Sequence, residues 1–121
     1  MDTNNALEGF GALAQDTRLA AFRLLVVAGP AGMPAGTIAE RLATPANTLS
    51  THLAILTRAG LASARREGRQ IIYSADMAGA RALIGYLVED CCGGHPEACA
   101  PLLDAAVPDA CCPPAPKEMR L

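Results

Sequence analysis

The chain has 121 residues, of which 51% are hydrophobic and 18% charged, and its formal net charge is −2. This length fits one globular domain with a modest core, which favours a dimer that shares its core. The charge excludes a basic, histone-like coat, and 3% aromatic residues without tryptophan argue against stacking on single-stranded bases.

The first two predicted elements are amphipathic helices. One is predicted over residues 5–15, and Asp16 is a suitable N-cap for the next, which Gly29-Pro30 would stop. The apolar side chains that recur at helical spacing are Leu7, Phe10 and Leu13 in the first helix and Leu19, Phe22 and Val26 in the second.

Two further helices follow. A short one is predicted to start near Pro34, since proline is tolerated in a first turn, and to direct Ile38 and Leu42 inward. Thr44-Pro45 then has the pattern of an N-cap followed by proline at the first helical position. The fourth helix would run from there to Gly60, a natural C-terminal stop.

The remaining elements are a hairpin and a last helix. Residues 61–66 and 69–74 favour two strands joined by a turn at Glu67-Gly68. Asp76 can cap a helix with one apolar face. The residues of that face are Ala80, Leu83, Ile84 and Leu87. This order predicts a mainly α winged helix-turn-helix with a β-hairpin wing.

The composition changes after Asp90. Residues 1–90 are predicted to form the winged helix-turn-helix DNA-binding and dimerisation domain. Residues 91–121 are predicted to form a Cys/Pro-rich C-terminal metalloid-binding segment and tail, in which four prolines favour an extended or disordered chain. Those prolines are Pro108, Pro113, Pro114 and Pro116.

The fourth helix has one polar face that suits DNA. With the leucines at positions 49, 53 and 56 buried, small polar residues point the opposite way or to its flank. These are Asn47, Ser50 and Thr51, together with Ala54 and Arg58. Small polar side chains let a helix backbone approach the major groove and bond base edges or phosphates. The alternative is the solvated face of an ordinary helix.

Arginines cluster after this helix. Four arginines against the single acid Glu67 give the segment from position 58 to 69 a local formal charge of +3. In the hairpin, Arg65, Arg66 and Arg69 would contact phosphates, and the alternative is a solvated turn. His52 lies near the leucine face and is interpreted as a packed or capping histidine rather than a metal ligand or base.

These motifs resemble the ArsR/SmtB family of metal-sensing repressors. The resemblance lies in residues 47–61, in Arg65-Arg66-Glu67-Gly68-Arg69, in Tyr73 and in the earlier stretch 12–19, and it covers roughly residues 5–90. It implies a homodimeric winged helix that binds a palindromic double-stranded operator and is released by its inducer. It also implies operator contacts by Asn47, Ser50 and Thr51, and a dimer interface formed by the first and last helices.

The chain has five cysteines, all after residue 90. Neither a signal peptide nor an apolar run of about 18 residues is present, so we expect a cytoplasmic protein with no membrane partner. Thiols stay reduced in the cytosol, where cysteines act as ligands or sensors rather than as a disulfide framework.

Three of these thiols are predicted to form one metalloid site. Some arsenite-responsive relatives carry Cys-x-Cys in the third helix, which this chain lacks, and others have vicinal cysteines at the end of the last helix. Cys91, Cys92 and Cys99 resemble the second arrangement. Trivalent arsenic prefers three thiolates, and Gly93-Gly94 offers the break that adjacent cysteines need in order to converge. We therefore expect As(III) or Sb(III) as inducer.

Zinc or cadmium is the main alternative inducer. Adding His95 gives a Cys3His set, the ligand types of a closed tetrahedral zinc site. Cys111 and Cys112 could be an auxiliary thiol pair or chemically idle. A role unrelated to ligands also stays open for all of the cysteines.

The sequence thus predicts an arsenite-responsive transcriptional repressor rather than an enzyme. One rival is a thiol oxidoreductase. No Cys-x-x-Cys follows a strand and no phosphate-binding loop is present, which argues against this rival. The others are a metalloid buffer that does not bind DNA, and a sensor of oxidants.

Overall fold

The computed structural model of the protein describes residues 1–88, a mainly helical fold with a β-hairpin wing, which confirms the predicted fold class. Residues Met1–Tyr86 form one compact unit. In chain order the elements are α1 (Thr3–Leu13), α2 (Asp16–Ala28), β1 (Met33–Pro34), α3 (Ala35–Arg41), α4 (Ala46–Arg58), β2 (Ala62–Glu67), β3 (Gln70–Ala75) and α5 (Met77–Val88). None of these described helices is long and apolar enough to cross a membrane.

Side-chain caps set where α1 and α2 begin. The Asp2 carboxylate accepts a 2.8 Å hydrogen bond from the Asn5 amide, so α1 begins two residues before the predicted start. At α2, the Gln15 side chain accepts from the Arg18 amide at 2.9 Å. The prediction of Asp16 as N-cap was therefore wrong by one residue. Asp16 occupies the first helical position, where its charge favours the helix dipole.

The buried residues of α1 are all small, while α2 buries the small Ala21 and the large Leu25. Leu7 is 64% exposed, and Leu19 and Val26 are also exposed, so the predicted faces were wrong at these positions. The inward residues are Ala6, Gly9 and Ala12 in α1 and Ala21 and Leu25 in α2. Gly9 lies against Leu83 of α5. Small side chains allow helix backbones to approach closely, and the predicted Phe10, Leu13 and Phe22 are half-buried against the core.

A short unpredicted strand completes the sheet. The strand order is β1-β3-β2, and both pairings are antiparallel, with Met33 opposite Tyr73. Proline is tolerated in β1 because this two-residue strand lies at the edge. Pro34 precedes α3 as its N-cap residue instead of lying in its first turn.

The hairpin turn lies one residue later than predicted. Glu67 pairs with Gln70, so Gly68 and Arg69 form the two-residue loop rather than Glu67-Gly68. Gly68 has a φ of 65°. A positive φ at the first loop position is the conformation that a type II′ hairpin turn demands, and glycine adopts it without strain.

Leucines on one side of α4 form the centre of the core. The largest fully buried side chains are Leu25, Ile38, Leu49, Leu53, Leu56 and Leu61, which confirms the predicted inner face of α4. The predicted cap was wrong, because the Thr44 hydroxyl donates to the Leu42 carbonyl at 3.0 Å. Pro45 is the N-cap residue, without a side-chain hydrogen bond to the helix, and α4 ends at Arg58.

The start of α5 is fixed by the predicted cap. The Asp76 carboxylate accepts from the Gly79 amide at 3.0 Å. Leu83 is buried, whereas Ile84, predicted for the same face, is 52% exposed. In the last turn, the Tyr86 hydroxyl lies 2.6 Å from the hydroxyl of Thr3 at the start of α1. A hydrogen bond between side chains therefore joins the two helices.

Candidate DNA interface

The exposed face of α4 carries the residues predicted to read DNA. Leu49, Leu53 and Leu56 hold the opposite side of this helix in the core. The residues on the solvent side are Asn47, Ser50, Thr51, Ala54 and Arg58, all exposed. Helix α3 packs against α4, as in a helix-turn-helix, where the second helix enters the major groove.

Two of these side chains contact their own helix. The Asn47 side-chain carbonyl accepts from the Thr48 amide at 2.9 Å, which leaves the two amide hydrogens of Asn47 to donate. The Thr51 hydroxyl lies 3.4 Å from the Asn47 backbone carbonyl, a long hydrogen bond. Both side chains therefore keep hydrogen-bonding capacity for base edges or phosphates.

The wing arginines differ in how many of their N–H donors already make hydrogen bonds within the protein. Arg65 donates through Nε to Glu67 at 2.6 Å and through Nη2 to the Ala31 carbonyl, also at 2.6 Å. Arg66 makes one longer contact of 3.3 Å, to the Gly68 carbonyl. Arg69 makes no side-chain hydrogen bond to any other residue of the range 1–88. Arg65 thus anchors the wing to the loop before β1, while Arg66 and Arg69 keep most of their donors.

The wing and the helix-turn-helix lie side by side. Arg69 and Ile71 line one side of a cleft of about 490 Å³, and Gly36 and Glu40 of α3 line the other. Arg69 of the wing therefore lies near α3, the helix that precedes α4.

Single charge changes in the wing should alter the salt dependence of DNA binding. Arg69→Ala is expected to weaken DNA binding and to reduce the slope of log K against log salt by about 1, because one phosphate contact is lost. Glu67→Gln is expected to do the opposite, because it removes a carboxylate and frees Arg65. The slopes are measured by fluorescence anisotropy on a promoter fragment.

The matched control is Arg23→Ala, which removes the same charge from an exposed position on α2. Its salt slope should equal that of the wild type. If Arg69→Ala leaves the salt slope unchanged, Arg69 is not part of the DNA interface.

His52 lies at the edge of the leucine face of α4. It is half-buried, and its Nδ1 atom lies 3.2 Å from Nη1 of Arg18 on α2. This position fits the packed histidine expected from the sequence. The sequence predicts no role for Arg18, because a contact across 34 positions of the chain leaves no local pattern.

The predicted metalloid site lies outside the described residues. This holds for its three ligands Cys91, Cys92 and Cys99. It holds equally for the further candidates His95, Cys111 and Cys112. From residue 1 to 88, no three His, Cys, Asp or Glu side chains are grouped closely enough to hold a metal ion.

Comparisons with known proteins agree with this architecture. A family model described as a helix-turn-helix domain matches residues 13–63, from the end of α1 into β2. The comparison with curated proteins gave no match. Solved structures do match, and each covers most of the described fold.

Three of the similar solved structures are bacterial proteins. HlyU from Vibrio cholerae is 29% identical with a TM-score of 0.59, and the match covers 76% of this chain and 99% of HlyU. Rv0081 from M. tuberculosis is 30% identical with a TM-score of 0.52, over 69% of this chain and 88% of Rv0081.

The third is Mb0332 from Mycobacterium bovis, described as a homodimeric winged helix-turn-helix DNA-binding domain and a possible ArsR-family transcriptional regulator. It is 28% identical with a TM-score of 0.59, over 76% of this chain and 85% of the matched fragment. With its exposed α4 face, its wing and these relatives, the chain belongs to the ArsR/HlyU-like winged helix-turn-helix transcriptional regulators.

Proposed function

We propose that the protein is an arsenite-responsive repressor that binds operator DNA as a homodimer and is released when As(III) or Sb(III) binds its thiolates. The observation that carries this proposal is a combination within one short chain. A winged helix-turn-helix with an exposed polar face on α4 is followed, three residues after Val88, by the first of three closely spaced cysteines.

In the DNA-bound state, α4 lies in the major groove. Asn47, Ser50 and Thr51 face the base edges, while the cations of α4 and the wing face phosphates. The phosphate contacts are assigned to Arg58, Arg65, Arg66 and Arg69. Because Arg65 is paired with Glu67, it contributes less than Arg66 or Arg69.

A dimer is needed to present two copies of α4 to two half-sites, about 34–36 Å apart for one turn of DNA. The homodimeric state of the M. bovis protein supports this assembly. So do the exposed apolar side chains of the helices assigned to the interface, Leu7 on α1 and Ile84 on α5. Contiguous patches of exposed aliphatic side chains, unlike single ones, are typical of surfaces that a partner covers.

The inducer site is assigned to Cys91, Cys92 and Cys99. Trivalent arsenic and antimony are soft ions that thiolates bind strongly. Gly93-Gly94 allows the two adjacent thiols to converge. Because the first thiol closely follows α5, convergence of the three would change the chain where it leaves that helix. A coupling of about 1–3 kcal/mol would weaken operator binding about 5- to 150-fold.

The test is fluorescence anisotropy of the full chain on DNA from its own promoter, under reducing conditions, with arsenite and zinc titrated separately. Arsenite is expected to release the wild type, and zinc is not. Replacing Cys91, Cys92 or Cys99 singly by Ser should leave DNA binding intact and abolish release, because each variant lacks one of the three thiolates.

The double variant Cys111→Ser/Cys112→Ser is the matched control, and it should still respond to arsenite. If all three single variants still respond, the ligand assignment is wrong. Release by zinc alone would move His95 into the site, and failure to bind the promoter would favour the metalloid buffer.

A second candidate is a thiol redox sensor that uses the same cysteines. One observation favours it, the similarity to reduced HlyU from Vibrio cholerae, which is 27% identical over 92% of that protein. Oxidant-driven release without metalloid, reversed by a thiol reductant, would support this candidate over the first.

A further inference from the structure

Arg18 joins three helices through one side chain. Its backbone amide donates to the Gln15 cap at the start of α2. Its Nε donates to the Ala12 carbonyl of α1 at 2.7 Å, and its Nη1 donates to Nδ1 of His52 on α4 at 3.2 Å. No other side chain of residues 1–88 donates hydrogen bonds to two helices other than its own.

Both side-chain contacts of Arg18 have a clear chemical basis. The Ala12 carbonyl lies in the last turn of α1, where carbonyls have no partner within the helix and favour a cation. A guanidinium can only donate, so Nδ1 of His52 must accept, which places the ring hydrogen on Nε2. The Arg18 side chain therefore bridges two acceptors that belong to different helices.

The position of His52 links this bridge to the DNA-facing surface. His52 lies between Leu53, which is fully buried, and Thr51, which is exposed on the face assigned to the operator. The leucines hold α4 against the core by non-directional packing. The Arg18–His52 hydrogen bond adds a directional contact between α4 and α2.

We propose that Arg18 is a positioning residue for operator binding, which holds α4 in its DNA-binding orientation by bridging Ala12 and His52. The proposal rests on the assignment of α4 as the operator-reading helix and is independent of the inducer. It also makes the end of α1 part of the DNA-binding machinery, since a displacement of Ala12 would reach α4 through one side chain.

The test compares operator affinity and salt slope among variants of the full chain. Arg18→Met removes both contacts and should weaken binding by about 2- to 30-fold, the range for residues that couple elements, with an unchanged salt slope. Arg18→Lys keeps the charge but places one nitrogen where the bridge needs two, so it should also weaken binding. The matched control, Arg23→Met, removes the same charge from an exposed position on α2 and should bind like the wild type.

Variants of His52 separate positioning from a simple loss of stability. His52→Asn keeps an acceptor near the position of Nδ1 and should retain wild-type affinity, whereas His52→Leu should lose as much as Arg18→Met. The double variant Arg18→Met/His52→Leu should be no weaker than Arg18→Met alone, because each single variant already breaks the same bridge between Ala12 and His52. Circular dichroism below the unfolding transition verifies that each variant is folded.

Three results would overturn the proposal. If the salt slope falls by about 1 in Arg18→Met, Arg18 contacts a phosphate directly. If the effects of the two single variants add in the double variant, the residues do not act together. If Asn47→Ala loses affinity while Arg18→Met does not, α4 reads the operator without this bridge.

Asn47→Ala also tests the premise. If Asn47→Ala and Thr51→Ala both bind like the wild type, the assignment of α4 to the operator fails, and with it the role given to Arg18. Arsenite plays no part in these measurements, so their results are independent of the inducer assignment.

Discussion

Gly79→Ala is expected to destabilise the fold by about 3 kcal/mol or more, which is a large part of the 5–15 kcal/mol typical of a small domain. A Cβ at Gly79 would lie 1.8 Å from the Gly60 carbonyl oxygen and 2.9 Å from its carbon. Both atoms belong to the backbone, so no side-chain rotation relieves the overlap. The start of α5 must move away from the end of α4, and the gain of about 1 kcal/mol from alanine in a helix does not offset this cost.

The matched control is Gly36→Ala in α3. A Cβ at Gly36 meets no atom within 4 Å, so this variant is expected to gain up to about 1 kcal/mol from helix propensity alone. Urea unfolding followed by circular dichroism gives both values. Equal stability of the two variants would show that α5 does not approach Gly60 so closely.

Leu53→Ala is the second substitution with a large expected effect, and it should lower the free energy of unfolding by about 2–5 kcal/mol. Leu53 is fully buried at the centre of the core, with Leu49 and Leu56 on the same side of α4. Removing its isobutyl group loses the transfer free energy and leaves a cavity that the surrounding helices fill only partly. Thermal unfolding of the variant and the wild type measures the loss.

Thr51→Ala provides the opposite result on the same helix. Because Thr51 is exposed, the free energy of unfolding of the Thr51→Ala variant should differ from that of the wild type by less than about 0.5 kcal/mol. Its operator affinity should fall. Leu53→Ala should keep most of its operator affinity at temperatures where it stays folded. A stability loss in Thr51→Ala equal to that of Leu53→Ala would mean that the faces of α4 are assigned wrongly.

The fold was predictable from sequence where one strong pattern decided it. The leucine spacing in α4 identified its buried face, and Asp76 identified the start of α5. Local rules failed where two neighbouring residues could perform the same task. Gln15 rather than Asp16 caps α2, because the longer Gln side chain reaches the Arg18 amide from one residue earlier.

The apolar pattern of α1 failed at Leu7 alone, for a different reason. Size and hydrophobicity favoured Leu7 as an inward residue, but Ala6 and Gly9 face the core. In the proposed homodimer, large apolar side chains would serve a second surface as well as the core. A single sequence does not show which surface a given leucine covers.

The candidate site was predictable in its residue types but not in its internal pairings. Exposure on α4 follows from helical spacing, and the structure places each predicted DNA residue on an exposed position. The ion pair of Arg65 with Glu67 and the Arg18–His52 contact depend on side-chain directions and on tertiary packing. For this reason the arginines of the wing, equal in sequence, are unequal in the number of donors they have left.

The hydrogen bond between Tyr86 and Thr3 also gives the protein an optical reporter. The chain has two tyrosines and no tryptophan, so its ultraviolet fluorescence comes from Tyr73 in the wing and Tyr86 near the end of α5. In a Tyr73→Phe variant, excited at a wavelength that tyrosine absorbs and phenylalanine does not, the emission originates at Tyr86. Its intensity would follow the phenol as its 2.6 Å contact with Thr3 forms or breaks, so the junction of α1 and α5 can be observed in solution without an attached dye.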